Sequence, residues 1–389
     1  GHKKYRRAAE EAADFALGHT RSETGYLYWG GHTAWDLLSE RPVGEYNPHI
    51  HELKIHQPHF ELFWRMNPEA TEKAMECIWA GHILNWSKLD YNRHARVNQE
   101  AVPQWDHPFQ EDLPVPFPAE TNNYSFCNVS TPLLRSGTML ATLCNHQKAL
   151  CWTRRLLYRW QQGRHPESGL CGGLLSRPEK DRARAAYGHV HPSINEATVV
   201  AAYMRWSRYE ILPLAQMQAA EKLKQAGPEY TDTAEEFITW ASRDLKAYAS
   251  HCFDAENESF ISVLHDGTPV QWENCKKDQY FRPQNFQPRK ATPRAFWTYA
   301  TAYRMTRDTA HWEMLRRIGR SLGLGEFGAP GGRDRDIAPE PDNAAPCTLY
   351  ALLEIHRATQ DPAFLKLACR VGANTVDRQV PTSLFPSEG

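Results

Sequence analysis

The chain has no C-x-x-C pair, no surplus of either charge and no long apolar run, and each lack removes a class of protein. Nine cysteines, an odd number, are scattered over 389 residues, which disfavours a zinc ribbon or a disulfide framework and favours small buried hydrophobes. That usage leans towards a reducing compartment. Lys and Arg number 45 against 46 Asp and Glu, so the basic surplus of a nucleic-acid binder is missing. No window approaches the roughly 18 apolar residues of a membrane span, and Gly1-His2-Lys3-Lys4 opens without an apolar signal core. The glycines around Gly331-Gly332-Arg333 fit neither G-x-G-x-x-G nor a P-loop, so nucleotide use is not indicated. The expectation is a monomer with no nucleic-acid or membrane partner, working in periplasm or cytoplasm.

What the chain does contain is helix. Arg6 to Leu17 is rich in Ala and Glu, Asn67-Pro68-Glu69 opens a second segment, and Ser130-Thr131-Pro132 opens a third. Gln147 to Gln161, Asn195 to Leu223, Thr231 to Ser250, Thr292 to Met305, Ala310 to Leu322, Asn343 to Thr359 and Asp361 to Ala373 read alike. Short breaks such as Thr306-Arg307-Asp308 and Thr359-Gln360-Asp361-Pro362 join segments of similar length. Antiparallel hairpins recurring in this way predict an all-α solenoid or, with long irregular inserts such as 99–129, an α/α barrel (toroid). We expect about seven helical hairpins with short β-strands in loops, in one domain spanning 1–389 whose C-terminal end looks like a cut or a tail. The Pro-rich stretch from Leu113 to Pro118 reads as a loop over the barrel rim, since hairpins continue on both sides. Thirteen Trp suit either sugar-stacking platforms or thick helix packing, and packing is the stronger expectation.

Histidine is concentrated early: His32, His49, His51, His56, His59, His82 and His94 fall within 63 residues, with Glu45, Glu52 and Glu61 among them. Imidazole with carboxylate suits a divalent transition metal. The run from His51 to His56 is one residue too long for H-E-x-x-H, and on a helix an i, i+5 pair diverges by about 140°. A zinc protease is therefore disfavoured.

Three pieces in order, Trp29-Gly30-Gly31-His32, His51-Glu52-Leu53-Lys54 and Asn92-Arg93-His94, resemble the site of polysaccharide lyase family 2. These are pectate and exopolygalacturonate lyases on an α/α barrel. The resemblance implies His32, Glu52 and His94 as ligands of a divalent metal, with Mn2+ preferred and Ca2+, Co2+ or Ni2+ as alternatives. It implies Arg93 as the Brønsted base, and an acidic polysaccharide or oligogalacturonide as substrate. Elimination in a polyuronate removes the C5 proton and expels the oxygen at C4, and a metal on the C6 carboxylate stabilises the developing enolate. Lowering an arginine from its reference pKa to about 8 takes roughly 5 units, near 7 kcal/mol, towards which a neighbouring dication and desolvation both push.

Uronate carboxylates call for cationic contacts. Candidates are Lys277, Arg282, Arg289 and Arg294 in the basic, aromatic stretch before the helix near Thr292, with His189 and His191 as a second cluster. Two rivals remain open: an α/α-barrel uronyl hydrolase or epimerase using carboxylates such as Asp36 or Asp90, and a non-catalytic helical scaffold. A two-His-one-carboxylate iron oxygenase shares the ligand set but lacks its strand pattern here.

Overall fold

The computed structural model describes residues 2–28, 32–44, 49–54, 58–121, 125–177, 179, 199–200, 209–270, 286–332 and 334–378. Its eleven helices, among the described residues, are α1 (Lys3–His19), α2 (Phe60–Met66), α3 (Pro68–His82), α4 (Ser130–Leu143), α5 (Gln147–Gln162), α6 (Ile211–Ala226), α7 (Thr231–Cys252), α8 (Pro293–Thr306), α9 (Thr309–Ser321), α10 (Pro346–Thr359) and α11 (Pro362–Asp377). Helices α4, α6, α8 and α10 pack side by side in succession, backed by α5, α7, α9 and α11. This is the two-layered wall of an α/α barrel.

Burial separates the layers. In α4, eleven of 14 residues are buried, too many for one stripe, as an inner helix requires. In α5 the buried residues Ala149, Leu150, Trp152, Thr153, Leu156, Leu157 and Trp160 recur every three or four positions and leave a solvent face. Trp79 and Trp152 are fully buried. Trp86 and Trp105 join them with ring centroids 4.9 to 6.1 Å apart, so these four indoles pack helices together.

The hairpins close by one repeated turn. Arg307 and Gln360 adopt left-handed φ of 59° and 58° and give their N–H to Tyr303 O and His356 O. Asp308 and Asp361 then cap α9 and α11 by accepting from Ala310 N and Ala363 N, each at 2.9 Å. Asn67 before Pro68 and Thr292 before Pro293 cap α3 and α8 in the same way.

One helix is shorter than its sequence predicts. Within the segment Asn195 to Leu223, α6 starts only at Ile211, and Val199–Val200 is a strand paired with Val263–Leu264. Two consecutive β-branched residues favour extended backbone when a partner strand is available. Among the described residues no helix is long and apolar enough to cross a membrane, and eight cysteines are free thiols.

The Pro-rich stretch is sewn into the barrel. Phe117–Pro118 pairs in parallel with Ser176–Arg177. The fully buried Arg159 reaches from α5 to donate to Glu111 O and Leu113 O at 3.2 Å, to Gln162 Oε1 at 2.9 Å and to Gln110 O, with its guanidinium over the Phe109 ring. Arg159→Met keeps the apolar stem but strands the Gln110 and Leu113 carbonyls, while Glu111 O keeps its bond from Gln162 Nε2. We expect a loss of about 3 to 5 kcal/mol in denaturant unfolding, with new protease cleavage confined to residues 104–118.

Candidate metal centre

Two short strands carry the site: β1 (Ile50–Glu52) and β2 (His94–Arg96), antiparallel, with Glu52 directly opposite His94. Opposed residues on one face bring their side chains within about 5 Å, so 42 positions of chain collapse to one cross-strand pair. The pairing continues past the strand, as Leu53 N donates to Arg93 O at 2.7 Å. Leu53 therefore points into the core, 1% exposed, while Glu52 and Lys54 share the opposite side.

A layer of buried polar groups braces these strands from behind. His82, the last residue of α3, places Nδ1 2.7 Å from Asn92 O and Nε2 2.8 Å from His51 Nδ1. A carbonyl only accepts, so His82 Nδ1 carries the proton, its Nε2 accepts, and His51 Nδ1 is the donor. Burial drives both imidazoles towards the neutral form, His51 to about 4 and His82 well below the usual value. Asn92 Oδ1 accepts from His94 N at 2.9 Å and so fixes the turn that presents Arg93 and His94. Tyr26 packs on His51 with ring centroids 5.1 Å apart. Gly81 makes that possible, because a Cβ there would lie 1.6 Å from the Tyr26 hydroxyl.

In front of the brace, His32, Glu52 and His94 offer ligand atoms that all lie within 4.8 Å of one another. His32 Nε2 is 3.7 Å from Glu52 Oε2, and His94 Nε2 is 4.0 Å from Glu52 Oε1. Bonds of about 2.1 Å to a tetrahedral or octahedral ion put neighbouring donors about 3.0 to 3.4 Å apart, so side-chain rotation on the order of an ångström brings the three onto one ion. Arg93 Nε donates to His94 Nε2 at 3.1 Å and lies 3.8 Å from Glu52 Oε1; Lys54 Nζ lies 2.7 Å from Glu52 Oε2.

The electrostatics suit a cation. Burial pushes the Glu52 carboxyl up, but the Lys54 hydrogen bond and the charges of Lys54, His32 and Arg93 outweigh it and hold the group below its usual range. Burial and the Arg93 charge lower His94 to about 4. Near neutral pH the carboxylate is ionised and His94 is neutral, the protonation states that metal ligation requires.

Sequence reasoning named His32, Glu52, Arg93 and His94, and the structure brings these four together. Arg294 lies in the first turn of α8 beside Arg135, which burial first and the Arg294 charge second push below the usual arginine range. Arg289 is exposed on a strand paired with Ser259–Phe260. Lys277, Arg282, His189 and His191 lie outside the described residues. Of the rival acids, Asp36 accepts from Leu38 N and Ser39 Oγ in an exposed hairpin turn. Asp90 is fully buried and engaged by Glu120 N and Ser125 Oγ. Reading the sequence placed His82 in the histidine cluster and Lys54 in the motif around Glu52 but gave neither a role in the site. His82 ends an ordinary helical stripe, and the period-2 spacing from Glu52 was the signal for Lys54.

A helical barrel carrying a His–Glu–His cluster beside an arginine belongs with the α/α-barrel proteins, and comparison agrees. The fold resembles that of a D-mannose isomerase with a TM-score of 0.56 and 11% identity, over 99% of this chain and 88% of that one. The chain belongs to the periplasmic pectate lyase family, whose profile matches residues 1–388. A pectate disaccharide-lyase of Dickeya dadantii (strain 3937) is 27% identical over 304 residues, covering 72% of this chain and 54% of that protein. The chain thus spans about half the length of that relative.

The brace gives a stability prediction that is independent of any ion. His82→Leu leaves Asn92 O and the His51 Nδ1–H without partners in a buried site. We expect a loss of about 2 to 4 kcal/mol, with amide exchange at Leu53 and His94 accelerating more than exchange in α8 or α10.

Proposed function

We propose that this protein is a metal-dependent pectate lyase that cleaves α-1,4-galacturonan by β-elimination to give unsaturated galacturonides. The observation that carries the reading is the convergence of His32, Glu52 and His94 with the Arg93 guanidinium 3.1 Å from one of them. Family membership and the pectate disaccharide-lyase relative support it. Two imidazoles and a carboxylate fit a divalent transition ion, manganese before the harder calcium.

His32, Glu52 and His94 would hold a divalent ion, which would supply Lewis-acid withdrawal of charge from the substrate C6 carboxylate and so ease removal of the C5 proton. Arg93, entering the step with a neutral side chain, takes that proton and becomes the guanidinium cation. The electron pair left on C5 becomes the C4–C5 double bond as the C4–oxygen bond breaks, and the leaving oxygen ends protonated. Glu52 stays ionised at the base of the site, and the brace of His82, His51 and Asn92 keeps β1 and β2 in register while charge moves above them. Arg289, Arg294, Lys277, Arg282, His189 and His191 are proposed contacts for the uronates further along the chain.

Incubation with polygalacturonate should produce the ultraviolet absorbance of a 4,5-unsaturated uronide, abolished by chelator and restored by Mn2+. New reducing ends without absorbance would mean hydrolysis and overturn the reading. For the base, Arg93→Lys keeps charge but loses the planar fork and its reach. We expect kcat to fall by several orders of magnitude with KM little changed. A raised KM with near-normal kcat would instead make Arg93 a binding residue.

A further inference from the structure

Glu52 forms the floor of a bowl. Its side chain is 3% exposed, whereas the four groups around it are open to similar degrees: Lys54 17%, His32 20%, His94 21% and Arg93 22%. The proposed lyase reading uses three members of that rim. Lys54 is the fourth. Its place is built rather than accidental, because strand periodicity puts it on the side of Glu52 while Leu53 is locked into the core. Its ammonium is anchored 2.7 Å from Glu52 Oε2, the oxygen nearest His32, and Arg93 flanks the other oxygen together with His94.

Counted as formal charges, the Glu52 carboxylate at the floor faces the Lys54 ammonium and the Arg93 guanidinium, and Arg93 must shed its proton to act as base. With that proton gone Lys54 alone offsets Glu52, and a bound dication gives the mouth a surplus of positive charge. A site that only stored a metal would gain nothing from a second cation 2.7 Å from the ligating carboxylate, since like charges repel. The surplus makes sense if the group that enters is an anion that becomes more negative as it reacts.

We propose that Lys54 is a substrate-contacting residue that binds the C6 carboxylate of the uronate and stabilises the enolate formed when the C5 proton leaves. This inference rests on the lyase reading for its chemistry. The C5–H bond breaks with its electron pair staying on the substrate, so the carboxylate end passes from one negative charge towards two. Lys54 neither gives nor takes a proton in this step. A fixed cation there interacts more strongly with the transition state than with the bound substrate, so its loss falls on kcat as well as on binding.

The test is Lys54→Met, which keeps the stem and removes the charge, alongside Lys54→Arg, which keeps the charge. Three quantities are read on the folded, Mn2+-loaded proteins: Mn2+ affinity by calorimetry, affinity for D-galacturonate by calorimetry, and turnover of polygalacturonate. We expect Lys54→Met to bind Mn2+ as tightly as wild type or more tightly, to bind galacturonate about tenfold more weakly, and to lose about 100-fold in kcat. Lys54→Arg should recover most of the galacturonate affinity. Unchanged galacturonate affinity and kcat in Lys54→Met would overturn the proposal. So would a tenfold or greater loss of Mn2+ affinity in step with kcat, which would make Lys54 a support for Glu52 alone. If Lys54→Met does not fold, the same three measurements on Lys54→Gln decide. The lyase reading fails separately: wild type giving no unsaturated product while Lys54→Met loses galacturonate binding would leave an anion contact without that reaction.

Discussion

A carboxylate almost fully withdrawn from water is the constraint on which this site depends. Burying an ionised Glu is costly unless opposite charge and hydrogen bonds surround it. Glu52 meets that condition through Lys54, His32 and Arg93, whose combined effect outweighs desolvation and keeps it ionised, with the neutral His94 as its fourth neighbour. Each of those partners must then be held at a fixed place. His94 is held by the cross-strand pairing of β1 and β2, and Lys54 by the alternation that follows Glu52. Arg93 is held by the turn that Asn92 closes. Behind them His51 and His82 are kept neutral by burial, so that no second charge has to be accommodated.

The barrel serves this arrangement by being repetitive elsewhere. Helix pairs closed by a left-handed residue and an Asp cap need no specialised loop, and their buried faces interlock through aromatic and aliphatic side chains. The long connections are then spent where they matter. The segment between α3 and α4 supplies β2, the Arg159-pinned loop and the strand at Phe117–Pro118, and the segment between α1 and α2 supplies His32 and β1. An irregular segment can hold a precise geometry only if its backbone groups are satisfied, and Arg159 does that for three carbonyls at once. A helical wall of this kind is a general support, and the candidate site lies in the inserts that leave it.

Much of this was legible in the sequence. Helical periodicity, the Pro-plus-cap starts and the short Thr-x-Asp breaks located nearly every helix, because those signals are local. Val199–Val200 was misread as part of a helix because its strand partner lies more than 60 positions away, at Val263–Leu264. The proposed metal ligands were visible as residue types in a suggestive order, but only resemblance could join them. Nothing in the spacing from Glu52 to His94 shows that they face each other across two strands. His82 was hidden for a different reason: at the end of α3 it is indistinguishable from a helix-terminal histidine favoured by the dipole. Only its contacts with His51 and Asn92 reveal what it does.

The adjacency of Arg93 and His94 carries a last physical consequence. His94 is neutral and its Nε2 has one lone pair, which receives the Arg93 N–H at 3.1 Å. One lone pair serves one strong partner, so on the proposed reading Arg93 and the ion cannot hold that nitrogen together. Ligation of His94 would therefore turn the Arg93 side chain away from the ligand cluster. Glu52 Oε1 on one side and the bowl's open mouth on the other are the places left to it. Being tied to the next residue, Arg93 cannot travel far. On that reading, a base displaced by the ion but tethered beside it would meet the substrate only with the carboxylate-activating charge already in place. Sequence neighbours achieve this coupling with no moving domain, since the backbone between a ligand and a base in adjacent positions is only 3.8 Å from Cα to Cα.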